Sequence, residues 1–112
     1  MTYELDGKFV ETTDAGFLVE TADWNEELCA VIAKAEDIEL TDKHWDVIKF
    51  LRQEYFENNG NQPMERAIKK AMEAVWSAKL TSKDLYDLFP GSPSKQGLKV
   101  AGLPATTRKG GY

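Results

Sequence analysis

The sequence predicts an α+β fold that is mostly helical. A small N-terminal β-hairpin is followed by a four- to five-helix bundle with helix-turn-helix character and then by a C-terminal arm. Three observations carry this expectation. Apolar pairs flank a turn signal near the start, several middle segments repeat apolar residues every three or four positions, and Gly and Pro punctuate the end.

Taken in order, "KFVETTDAGFLVE" places apolar pairs on either side of Asp14-Ala15-Gly16, which predicts a hairpin over about 3–20. Asp23 precedes "WNEELCAVIAKAE" with Glu26 three residues on. This reciprocal capping pattern predicts a helix over about 24–35. Thr41 caps a second helix, about 41–58, with Trp45, Ile48, Leu51 or Arg52, and Tyr55 on its apolar face. The stretch from Asn58 to Pro63 ends it.

A third helix is expected from about Pro63 to Ala78, burying Met64, Ala67, Ile68, Ala71, Met72 and Val75, with Glu65, Lys69, Lys70 and Glu73 outward. The fourth, "SKDLYDLF", starts near Thr81 or Ser82 and stops at Phe89-Pro90-Gly91. Beyond it, Pro93, Gly97, Gly102 and Pro104 leave no room for a long regular element. Residues 1–94 are therefore expected to form one domain and 95–112 an arm, ordered over Gly97–Pro104 and mobile over Thr106–Tyr112.

Composition bounds the function. A chain of 112 residues that is 42% hydrophobic can fill a single core without disulfides or metal. Its net charge of −5 is uneven: Asp87 is the last acid, and Lys95, Lys99, Arg108 and Lys109 follow it. An acidic body disfavours broad phosphate binding. No apolar run approaches the ~20 residues of a membrane span, so a cytoplasmic protein is expected. With one cysteine and one histidine, neither an internal disulfide nor a Cys/His zinc site can be assembled, and no cofactor motif occurs.

The chemistry-bearing residues have mostly structural readings. Glu26/Glu27 and Asp37/Glu39 lie near helix ends, and His44, in the first turn of a helix beside Trp45, is expected to pack or cap. Cys29 sits mid-helix in "ELCAVIA", where cysteine behaves as a small hydrophobe and lacks a helix N-terminus to lower its pKa. The second and third helices are compatible with a helix-turn-helix in which Arg66, Lys69 and Lys70 reach DNA phosphates, although Glu65 and Glu73 blunt the field.

The blocks "LTDKHWDVIKFLRQEYFE", "PMERAIKKA" and "DLYDLFPGSPSKQGLKVAGLP", together with "DAGFL" and "DW", resemble the DsrC/TusE family over nearly the whole chain. That resemblance implies a hairpin, a helical bundle and a C-terminal arm whose cysteines carry sulfur. It places the upstream cysteine position at Leu98 and the near-terminal one at or beside Lys109, so both thiols are replaced. Since a thiolate is what attacks a persulfide or disulfide, the expected role is a non-catalytic interaction or regulatory protein of sulfur metabolism. Arg66, Lys95, Gln96, Gly102, Leu103 and Pro104 are its expected contacts with a sulfite-reductase-like or sulfurtransferase complex. DNA regulation through the helix-turn-helix and sulfur relay, including transfer through Cys29, are the alternatives.

Overall fold

In the computed structural model, which describes residues 2–5 and 7–104, the first reversal falls at Gly7. Its φ of 80° suits a residue with no Cβ. Strands β1 (Thr2–Leu5) and β2 (Lys8–Glu11) pair antiparallel around it, Tyr3 opposite Val10 and Glu4 opposite Phe9. The hairpin thus lies one turn signal earlier than Asp14-Ala15-Gly16, across which the pairing is an isolated bridge, Thr12 to Leu18. The loop closes on itself instead: Thr13 N–H donates to the Phe17 carbonyl at 2.7 Å and Gly16 N–H to the Thr13 carbonyl at 2.9 Å. Phe17 and Leu18 then turn into the core.

A short 3₁₀ turn (Thr21–Asp23) precedes helix α1 (Glu26–Ala35). Asp23 belongs to that turn and does not cap α1. Asn25, whose backbone is extended, takes the capping role, its Oδ1 accepting from Leu28 N–H at 2.7 Å. Leu28, Cys29, Ile32 and Ala33 form the buried face of α1.

Helix α2 (Asp42–Glu57) buries His44, Val47, Ile48 and Leu51, so its inner face is rotated from the expected one, and Trp45 and Tyr55 are half-buried. The reason lies in His44. Its Nδ1 accepts from Thr41 N–H at 3.1 Å, and its Nε2 lies 2.8 Å from the Leu88 carbonyl. An acceptor Nδ1 assigns the proton to Nε2, which donates to that carbonyl. The ring meets Phe89 edge-on at 5.1 Å, and with both nitrogens satisfied it can enter the core.

Helix α3 (Glu65–Trp76) buries Ile68 and Met72, half-buries Ala71, and leaves Met64, Ala67 and Val75 exposed, a narrower stripe than expected. Polar ties explain the rotation. Glu65 accepts from the Ser82 hydroxyl at 3.2 Å, Glu73 from Leu80 N–H at 2.9 Å, and Asp46 from the Trp76 indole at 2.7 Å. Glu65, Glu73 and Lys69 are consequently half-buried, not outward.

Helix α4 (Ser82–Leu88) is capped reciprocally by Thr81 and Asp84, and the hydrogen bond from Thr81 N–H to the Asp84 carboxylate holds that carboxyl below its ordinary pKa. Helix α5 (Lys95–Val100) is a final short helix. Its Leu98 and Val100, with Ala101 and Leu103 beyond, share one cluster with Leu28, Ile32, Ile48, Leu51, Ile68, Met72, Leu85 and Phe89. The architecture is the expected hairpin followed by helices. Residues 105–112, including the stretch expected to be mobile, lie outside the described residues.

The capping assignment has a direct check. Asn25→Ala should lower unfolding free energy by about 1 kcal/mol in a denaturant titration, whereas Asp23→Ala should cost less than about 0.5 kcal/mol.

Candidate functional site

The C-terminal segment is seated by its own backbone carbonyls. The Trp24 indole donates to the Val100 carbonyl at 2.9 Å, Arg52 Nη1 to the Ala101 carbonyl at 2.7 Å, and Gln62 Nε2 to the Pro104 carbonyl at 3.0 Å. Between these anchors Gly102 has a φ of 73°, and a Cβ there would fall inside the Trp24 side chain. Gly97 sits against Leu51, where a Cβ would come within 2.9 Å of a methyl group. Backbone and body thus meet at distances that a side chain would prevent.

Arg52 is the polar centre of this seat. Its guanidinium stacks 4.0 Å from the Trp24 ring centroid and 4.9 Å from that of Phe56. Burial pulls its pKa down, and it lies close enough to Cys29 for the two to sense each other's charge. Cys29 has no exposed surface, and burial pushes its thiol up to about 12 despite the opposing pull of Arg52. Desolvation wins over the neighbouring cation, so the thiol stays protonated and inert.

The other end of α5 is tied by Glu36, the residue that terminates α1. Its carboxylate accepts from Gln96 Nε2 at 3.1 Å and from Lys99 Nζ at 3.4 Å, and Gln96 Oε1 accepts from Gly91 N–H at 2.8 Å. Lys99 also lies 5.4 Å from the Phe17 ring centroid. Burial and the Glu36 charge together raise the pKa of Tyr3, whose hydroxyl donates to the Gly16 carbonyl.

Several expected site residues gather here and others do not. Gln96, Gly102, Leu103 and Pro104 lie on the seated segment. Gly102 and Leu103 are buried, so they hold the segment in place. Leu98, which the family resemblance places at the upstream cysteine position, is 1% exposed. Lys95 is exposed at the start of α5, and Lys109 lies outside the described residues. Arg66 is exposed on α3, away from this seat, with Lys70 also exposed and Lys69 half-buried. Among the described residues no group of three His, Cys, Asp or Glu side chains is placed to hold a metal, and no helix is long and apolar enough to cross a membrane.

A family model described as DsrC like protein matches residues 4–108. This chain belongs to the DsrC-like family. It is 40% identical over 99 residues to sulfurtransferase TusE of Escherichia coli K12, covering 88% of this chain and 91% of that one. The solution structure of DsrC from Allochromatium vinosum superposes with a TM-score of 0.85 at 39% identity, covering 96% of each chain. The oxidized gamma-subunit of the dissimilatory sulfite reductase from Archaeoglobus fulgidus gives 0.89 at 30% identity, over 97% of this chain and 99% of that one.

These relatives are named for sulfur chemistry, and they lend no support to the regulatory reading or to DNA contact by Arg66, Lys69 and Lys70. The residues the sequence reading missed are the ones that seat the segment: Glu36, Gln62 and, as donors, Trp24 and Arg52. A signal for Arg52 was present. An arginine at a position shared with the apolar face of α2 must find acceptors once the helix is packed.

Two measurements test this site. Gly102→Ala should cost about 2 kcal/mol or more of stability, because it adds both a positive-φ penalty and a clash with Trp24. The Cys29 thiol is protonated in the folded chain up to about 12, against its ordinary 9.0 in the unfolded chain. The unfolded chain therefore releases a proton first. Stability should be flat below 9 on this account and fall as pH rises towards 12, and Cys29→Ala should show a shallower decline over that window.

Proposed function

We propose that this chain is a component of a sulfur-relay system that docks on a sulfurtransferase or sulfite-reductase complex. The observation that carries this reading is the kinship with sulfurtransferase TusE, which extends over 88% of the chain. The superposition on a sulfite reductase gamma-subunit is consistent with an assembly partner of that kind.

The residues refine the role. Accepting persulfide sulfur requires a thiolate that a donor can reach. Cys29, the one cysteine of the sequence, is enclosed in α1 and held protonated, and Leu98 is a core side chain. Position 109 is a lysine. Engagement of a relay partner is therefore the part these residues can perform. Arg66 and Lys95 are its surface contacts, Gln96 acts by tying α5 to Glu36 and Gly91, and the seated 102–104 turn fixes where residues 105–112 begin.

Affinity capture with the tagged chain from its own cells should retain sulfurtransferase or sulfite reductase subunits, and recovery of neither would overturn the docking role. The sulfur-accepting role is read separately by intact-mass spectrometry after incubation with a persulfide donor. The native chain should gain no sulfur atom on Cys29, whereas Lys109→Cys should gain one. An added sulfur on Cys29 would restore the carrier reading in full.

A further inference from the structure

A depression of about 510 Å³ opens between the start of α3, helix α4 and the turn before α5, lined by Met64, Glu65, Arg66, Tyr86, Ser92 and Ser94. Three features of its lining bear on what it could hold. Met64 and Tyr86, large apolar side chains, are 44% and 43% exposed on its edge. Arg66 lies beside them with no carboxylate within 4 Å among the described residues, where the ion pairs are Lys83–Asp87 and Lys99–Glu36. Ser92 is held at a φ of 133°, a conformation costly for a residue with a Cβ, between buried Pro93 and the Phe89 carbonyl that accepts its N–H at 3.0 Å.

The strained turn presents hydroxyls. Ser92 and Ser94 Oγ lie 3.3 Å apart, and Ser94 is 5% exposed at the inner wall. The nearby acids of α4 are engaged locally, Asp87 by Lys83 and Asp84 by the cap, so they do not neutralise Arg66. Glu65 accepts from Ser82 and stands as the one acid in the lining. Its charge sets a limit: a densely acidic strand would be repelled, while a single carboxylate beside apolar side chains is compatible with it. Tyr, Met and Arg around a concave site are also the residue types enriched at protein interfaces.

From this we infer that the groove between α3, α4 and the 92–94 turn docks an extended segment of a protein partner carrying one carboxylate for Arg66, flanked by apolar side chains that cover Met64 and Tyr86. The inference rests on the docking role proposed above and assigns it a face and a partner chemistry. The other cavities hold no serine pair and no arginine free of a described partner. In the cavity beside α5, Lys99 is already paired with Glu36. The one lined by Trp24, Trp45 and Lys49 includes Glu26, and its arginine, Arg52, already donates to the Ala101 carbonyl; its neighbour is lined by Asp42 and Asp46.

The test is a titration of the labelled full-length chain, followed by amide NMR, with the blocked pentapeptide Gly-Leu-Glu-Phe-Gly and its Gly-Leu-Gln-Phe-Gly counterpart. Shifts should centre on Met64, Arg66, Tyr86, Ser92 and Ser94. The glutamine peptide and Arg66→Gln should each bind roughly fivefold more weakly, with the difference shrinking as salt rises. Lys70→Gln, which removes an exposed charge from the same helix outside the groove, should stay within about twofold. Equal binding of the two peptides, shifts centred elsewhere, or no shifts at millimolar peptide would overturn the assignment. Because the probe is not a relay protein, its failure leaves the relay role standing, and failed capture of relay subunits leaves a groove that binds the peptide.

Discussion

The structure depends on one arrangement above the rest: a half-buried arginine that donates to a backbone carbonyl of the segment it anchors and stacks on aromatic faces of the body. Isolated burial of a guanidinium costs several kcal/mol, and a carboxylate partner in the same place would be desolvated along with it. Here the donor geometry is met by the Ala101 carbonyl at 2.7 Å and the cationic face by Trp24 at 4.0 Å. Trp24 in turn donates to the Val100 carbonyl. The two side chains come from different places, α2 and the end of the 3₁₀ turn before α1, so the carbonyls of 100 and 101 join both to the C-terminal segment. Fixing the backbone this way leaves no room at Gly102, and the absence of a side chain there is what lets Trp24 close over it.

A second tie acts at the other end of α5 and works by a different route. Glu36 gathers Gln96 and Lys99 of α5, and Gln96 in turn accepts from Gly91, so the end of α1, α5 and the Gly91 turn are joined through one carboxylate and one amide. Its pair with Lys99 is largely shielded, at 21% and 18% side-chain exposure, which places it between the weak surface pair and the costly buried one. Together the two ties hold a six-residue helix that could not persist alone, since isolated helices of this length do not repay their nucleation. Tertiary contacts make α5.

How much of this was legible in the sequence follows from which signals are local. Helix α4 and its Thr81 cap lie where the pattern predicts, because cap, apolar residue and Pro stop are all within one short window. The hairpin turns at Gly7 and not at the Asp14-Ala15-Gly16 signal for the same kind of reason. Two turn signals compete near the start, and the choice depends on Tyr3 packing over the Gly16 loop, a contact across 13 residues. The faces of α2 and α3 shifted because polar ties decided their rotation: His44 to Leu88 spans 44 residues, and Trp76 to Asp46 spans 30. The seat was legible at its near end, in the Gly and Pro punctuation, and illegible at its far end. The Trp24 bond to Val100 spans 76 residues, and no spacing rule reaches that far.

Leu98 shows how tightly the core holds a position that the family resemblance assigns to a cysteine. A leucine at 1% exposure contributes about 1.5–3 kcal/mol through burial, and it does so beside Gly97, whose missing side chain lets Leu51 approach. A cysteine in that position has less apolar surface to bury and keeps a group worth exposing. With leucine there, every step that would bring residue 98 to a partner opposes the packing that holds α5. The segment through Pro104 is thereby committed to the body, and the Gln62 bond to the Pro104 carbonyl marks the last point at which the described chain is tied to it. The position that the family resemblance assigns to a thiol is thus part of the interior.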